Sequence, residues 1–299
     1  MRHRIGNLLF PVGKGVLVIL VWLSATHTAQ AQQPSEDAQF ALYKDAIELI
    51  DKEKYAAAQT KLEEFMRLSA VSYDPTQRNN LDAEAQFYHA FAAFNLLHSN
   101  AQSLFETFIT EHPTHPKADE SRFCIGKLYF MRKNYDRVLP YLKKVDHGKL
   151  KPEQKVQSRF MQGYCYYQNG QNREAMSMFR QIRNEDGQFG ELGAYYFAMI
   201  SYENGDYGEA YKAFSKIDPK NDYAKGIEVY KASCLLKLNR FDELEALGED
   251  LQKNSRGRGG NNQVWFILGN ASFEQEKYAQ TIKHFEKFEA GRGGVLNRS

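Results

Sequence analysis

The chain has 299 residues, 42% hydrophobic and 25% charged, a balance that excludes a mainly disordered protein and allows one large or two ordinary domains. Lys+Arg 39 against Asp+Glu 37 gives a formal charge of +2, so no bulk field directs the chain to nucleic acid. Eight prolines leave room for long helices, and aromatics are plentiful at 13%, with 18 Tyr and 20 Phe.

Residues 1–31 read as an export signal. Arg2, Arg4 and Lys14 make a positive start, Gly15 to Leu23 supply a short apolar run, and Ala29-Gln30-Ala31 is a small-x-small cleavage site. The run falls short of the roughly 20 residues that span a bilayer, although retention as an uncleaved anchor stays open. No cysteine stands at the cleavage site to accept a lipid. Cleavage leaves 36 Lys+Arg against 37 Asp+Glu, a mature charge near −1. Cys124, Cys165 and Cys234 are odd in number and match no disulfide or metal spacing, so they are expected to be small core residues.

From residue 39 the sequence repeats. A small residue inside an apolar helical stretch recurs at Ala46, Ala90, Gly126, Gly163, Ala198, Ala232 and Gly269, at intervals of 44, 36, 37, 35, 34 and 37. Nine residues later most units carry an aromatic, then a second small or modest residue, then a large apolar one. Tyr55/Ala58/Leu62, Tyr135/Val138/Leu142, Tyr207/Ala210/Phe214 and Tyr278/Thr281/Phe285 show this, and Asn172/Ala175/Phe179 keeps it with Asn in place of the ring. Ala101/Phe105 keeps the second half and Phe241/Leu244/Gly248 is the weakest copy. Such spacing describes a hairpin of helix A and helix B that cross closely where small side chains meet. The turn sequences Asn169-Gly170, Asn204-Gly205-Asp206 and Asn239-Arg240 fall between the two. One hairpin cannot bury both of its apolar faces, so several must stack.

The pattern resembles the tetratricopeptide repeat family. Trp265-Phe266-Ile267-Leu268-Gly269 with Tyr278, Thr281, Phe285 and Phe288 matches its signature best, and Gly126/Tyr129/Tyr135 and Gly163/Tyr166/Gly170/Ala175 match well. Pro113 and Pro219 fall near its unit-ending proline. The resemblance covers about 250 residues and implies an all-α, right-handed superhelical solenoid of antiparallel helix-turn-helix hairpins. Seven units are expected at 39–68, 82–113, 119–147, 156–184, 191–219, 225–253 and 262–289. Residues 290–299 read as a linker toward an eighth unit, because Gly291-Arg-Gly-Gly294 repeats Gly257-Arg-Gly-Gly260 after 34 residues. The stretch from Ser69 to Leu81 reads as a surface excursion, and Pro140 is expected to lie in the first turn of its helix B.

Catalytic and metal patterns are poor. Neither Gly257-Arg-Gly-Gly260 nor Gly13-Lys14-Gly15 has the frame of a phosphate loop. His112-Pro-Thr-His115 beside Asp119 and Glu120 is the densest metal-type cluster, and it reads as a solvated inter-unit loop. No enzyme activity, cofactor, metal or nucleic-acid partner is expected.

In the family that the chain resembles, helix A lines a concave groove. Residues three before and one, four and five after the small residue point into it. Carried over, these are Phe123, Lys127, Phe130 and Met131; Phe160, Tyr164, Tyr167 and Gln168; Tyr195, Met199, Tyr202 and Glu203; and Phe266, Asn270, Phe273 and Glu274. Rings with polar handles suit extended peptides or an amphipathic helix. The resemblance therefore implies a non-catalytic, exported bacterial scaffold, periplasmic or outer-membrane-associated, that binds envelope proteins or peptides. Association with membranes through those partners and self-association through the last unit stay open. The alternative is a glycan- or nutrient-binding receptor component of the outer membrane.

Overall fold

The computed structural model describes residues 36–70, 75–218, 221, 223, 226–254 and 262–296. The expected export signal, Pro219 and Gly257-Arg-Gly-Gly260 lie outside them. Among the described residues there are fourteen α-helices and no strand, and the helices follow one another in pairs. The first hairpin joins α1 (Glu36–Asp51) to α2 (Tyr55–Ser69), and the second joins α3 (Pro75–Asn95) to α4 (Ala101–Glu111). Next come α5 (Ala118–Met131) with α6 (Tyr135–Leu142), then α7 (Pro152–Gln168) with α8 (Asn172–Ile182). The last three pairs are α9 (Gln188–Glu203) with α10 (Tyr207–Phe214), α11 (Ile227–Lys237) with α12 (Phe241–Asn254), and α13 (Asn262–Glu274) with α14 (Tyr278–Leu296). Each helix packs on its sequence neighbours, which makes the chain a solenoid of helical hairpins.

The turns keep the register. Each of the seven places one residue in the left-handed region: Glu53, Leu97, Lys133, Gly170, Gly205, Asn239 and Glu276, with φ between 56° and 82°. Each lies seven residues after its unit's small residue, so the backbone repeats with the same intervals as the sequence. The next residue's N–H reaches back five positions, as in Lys54 N to Leu49 O (2.8 Å), Asn134 N to Tyr129 O (2.9 Å) and Lys277 N to Ser272 O (2.9 Å). This satisfies carbonyls that the end of helix A would leave unpaired. Only Gly170 and Gly205 occupy the position without the steric cost that a side chain carries there.

The helix crossings explain the small residues. A Cβ on Gly163 would lie 2.7 Å from the Phe179 ring, one on Gly126 2.4 Å from Leu142, and one on Gly269 2.4 Å from the Phe285 ring. Ala46, Ala90, Ala198 and Ala232 are fully buried at the equivalent place. Thus the large residue of helix B fills the space that the small residue of helix A vacates, and the two are one device. The core built this way runs continuously from Ala83 to Cys234, with smaller clusters at either end.

Two local features depart from the spacing. Pro140 is the sixth residue of α6, beyond the first turn where it was expected. The helix accommodates it by stopping two residues later, with tighter bonds from Lys144 N to Tyr141 O and Val145 N to Leu142 O. A 3-10 turn, His147–Lys149, then leads to α7. The stretch from 290 to 296 continues α14 through Gly291-Arg-Gly-Gly294. Gly291 passes close to Asn262 at the start of α13, where an added Cβ would lie 1.9 Å from the side-chain oxygen. Of the Ser69–Leu81 stretch, residues 71–74 lie outside the described residues and α3 already begins at Pro75.

Candidate functional site: the aromatic face of the A helices

Successive A helices touch one another, α1 with α3, α5 with α7, α7 with α9 and α11 with α13, whereas the B helices pack chiefly between A helices. The A helices are therefore closer together, on the inner side of the stack. The expected groove residues divide by depth. Phe123 and Phe160 are buried, at 3% and 5% exposed, and belong to the core. Phe160 packs against Phe179, Phe189 and Tyr196, with ring centroids 5.4 to 6.1 Å apart.

Tyr164, Tyr167, Tyr195, Met199 and Tyr202 are half-buried, in α7 and α9. Phe130, also half-buried, packs edge-on against Tyr135 (5.6 Å) and Tyr164 (5.5 Å). Lys127 is half-buried with its ammonium 5.6 Å from the centre of the Phe94 ring, and Met131 is 52% exposed. In the last hairpin Asn270 is half-buried, Phe266 is 46% exposed against Phe285 and Phe288, and Phe273 is 60% exposed beside Tyr278. Gln168, Glu203 and Glu274 are exposed. The rings in α5, α7 and α9 thus form one connected surface, and those in α13 form another.

Tyr196 joins the first surface together and was absent from the expected set. Its ring meets Phe160, Tyr164, Tyr167, Phe179 and Tyr195, all within 6.1 Å. Tyr230 does the same one hairpin later, against Tyr202 (5.3 Å) and Phe214 (5.5 Å). Both stand two residues before the small residue of their unit, a regular position that would have found them. Burial raises the pKa of Tyr164, Tyr167, Tyr195 and, most strongly, Tyr196. These phenols stay protonated at neutral pH and offer O–H donors over an apolar floor, which suits recognition of backbone carbonyls and apolar side chains.

The remaining chemistry-bearing groups serve the fold. All three cysteines are free and buried. Loss of solvent raises their pKa, to about 12 for Cys165 and about 11 for Cys234, which keeps them as unreactive thiols. His112 and His115 are not solvated as expected: both are half-buried against the Phe108 ring at 5.3 and 5.4 Å. His112 Nε2 donates to Gln86 Oε1 (3.1 Å), and His115 Nδ1 accepts from Lys117 N (3.1 Å). Asp119 and Glu120 are buried and paired, Asp119 with Arg122 (3.0 Å) and Lys149 (3.4 Å), Glu120 with Lys117 (2.9 Å). Among the described residues no group of three or more His, Cys, Asp or Glu could hold a metal ion, and no helix is long and apolar enough to cross a membrane.

Residues 157–187, which take in most of the fourth hairpin, match the tetratricopeptide repeat family. That hairpin is therefore similar to a tetratricopeptide repeat. Solved structures similar to the chain include a tetratricopeptide repeat protein from Parabacteroides merdae, 16% identical over 84% of this chain and 92% of that one, with a TM-score of 0.44. The apo form of RapI is 14% identical, over 85% and 76%, with a TM-score of 0.45. Yeast Tom70 is 16% identical, over 88% and 60%, with a TM-score of 0.32. No curated protein matches the chain. The seven hairpins stack as a helical repeat scaffold, of which the fourth carries the family match.

Proposed function

We propose that the chain is an exported, non-catalytic scaffold that holds envelope proteins or their extended segments along the inner face of its A helices. The observation that carries the reading is the row of half-buried phenols on two adjacent A helices, Tyr164, Tyr167 and Tyr195 joined by Tyr196, and Tyr202 packed on Tyr230 of the next hairpin. Large rigid rings with one polar tip bury much area at low entropic cost when a peptide lies on them. Export rests on the basic, apolar and small-x-small order of residues 1–31. Exposed Phe266, Phe273, Tyr278 and Ile282 on α13 and α14 offer the surface for self-association in the same proposal.

The test is a crosslinked pull-down from envelope extract with the wild type and a Lys127→Ala, Met199→Ala, Asn270→Ala variant of unchanged helicity. A protein captured by the wild type and lost from the variant is expected. Equal capture by both removes the groove from the proposal.

A further inference from the structure

On the side of the B helices a separate cavity of about 580 Å³ opens across three hairpins. Its charged lining comes from Arg183 at the end of α8, Glu209, Lys212 and Lys216 in and just after α10, and Arg240 at the start of α12. Four cations therefore face one carboxylate. None of the groove residues takes part.

The two guanidinium groups are held in place by rings. Arg183 lies 4.1 Å from the centre of the Phe197 ring, and Arg240 lies 5.0 Å from that of Tyr211. Glu209 pairs with Arg183 (3.2 Å) and Lys212 (3.3 Å), and the hydrogen bonds from Arg183 and then Lys212 hold its carboxyl below the ordinary range. Arg240 pairs with Glu243 at 2.5 Å, and Lys216 donates to the neutral Asn184 oxygen at 2.7 Å. Among the described residues that line this cavity, and counting Glu243, cations outnumber carboxylates by two. Glu185, Asp186 and Glu191 line an adjoining depression that shares Arg183 and Lys216 with this cavity and would repel an anion there, which leaves the α10–α12 side as the approach for an anion.

We propose that this cavity binds an acidic peptide segment of a partner protein, on the face opposite the aromatic groove. Ring-stacked guanidinium groups present planar forks that pair with carboxylates, and the lysines add mobile point charges. The cations arrive from three successive hairpins, a spread that matches several carboxylates along an extended chain better than one compact anion. The volume lies in the range of ordinary ligand sites and admits only a few side chains at a time.

The experiment measures fluorescence anisotropy of a labelled ten-glutamate peptide titrated with the chain at low and physiological salt. The Lys212→Glu, Lys216→Glu variant changes two exposed side chains and is expected to lose at least tenfold in affinity, with binding weakening as salt rises. A Lys44→Glu, Lys283→Glu variant makes the same charge change elsewhere and is expected to bind as the wild type does. Equal losses in both variants would show attraction to net charge alone and overturn the proposal, as would no binding by the wild type. Displacement of the peptide by millimolar inorganic phosphate would assign the cavity to small anions and overturn it too. Unchanged binding by the Lys127→Ala, Met199→Ala, Asn270→Ala variant separates this site from the groove: that result supports the proposal whatever becomes of the groove reading.

Discussion

Phe160 in α7 and Phe266 in α13 each stand three residues before the small residue of their hairpin, yet Phe160 is 5% exposed and Phe266 46%. The partners account for the difference. Phe160 is covered by Phe189 and Tyr196 of the following hairpin, whereas Phe266 packs on Phe285 and Phe288 of its own α14. The same sequence position is thus core in one unit and surface in another, and the neighbouring hairpin decides which. Partial exposure follows the positions one, four and five after the small residue, whose side chains stay partly open in α5, α7 and α9.

The comparison can be broken most directly at the crossing. Phe179 is fully buried under Gly163, while Phe285, its counterpart under Gly269, is half-buried. Phe179→Ala is expected to cost about 3–5 kcal/mol and Phe285→Ala about half as much, read by urea denaturation at one temperature. Equal costs would mean that burial by the next hairpin adds nothing.

The stacking position gives the next largest effect. Phe160→Ala is expected to cost about 3 kcal/mol and Phe266→Ala about 1 kcal/mol, in proportion to the ring area each already hides. A Phe266→Ala variant as unstable as Phe160→Ala would refute the role given to the following hairpin.

The turns sharpen the contrast at a smaller scale. Gly170→Ala puts a side chain at φ 70° and is expected to lose about 1 kcal/mol, while Lys133→Gly relieves the same position and is expected to gain about 1 kcal/mol. Thermal melting of the pair checks both signs at once.

The smallest effect is a pH dependence. Burial lowers the pKa of His115 and His147. Below the ordinary histidine pKa the unfolded chain binds protons that the folded chain resists, so their contribution is present at pH 7.5 and declines as pH falls through about 6.5. The wild type is expected to lose stability between pH 7.5 and 5.5, and a His115→Gln, His147→Gln variant to lose less over that interval.

The hairpin ladder was legible because each unit repeats a steric requirement. Gly126, Gly163 and Gly269 sit against Leu142, Phe179 and Phe285, four alanines are fully buried at the equivalent place, and the turn residues recur at the same spacing even where the residue is Leu97 or Lys133 instead of Gly. What failed to show in the sequence depends on tertiary neighbours. Pro140 could not be placed without knowing that α6 stops at Leu142. His112 and His115 read as solvated because their packing partner, Phe108, belongs to α4. The basic cavity brings Arg183 beside residues from two later hairpins, and isolated charges carry no periodic signature.

The most direct measurement of the groove claim is site-specific photo-crosslinking. A photoreactive phenylalanine would be placed at exposed Met131 or Gln168 on the A-helix side, and at exposed Arg180 or Gln181 on α8, in separate chains irradiated in envelope extract. Binding along the aromatic face predicts a common crosslinked protein from Met131 and Gln168 and none of that protein from Arg180 or Gln181. The same protein captured only from α8, or no capture from either groove position, would contradict it.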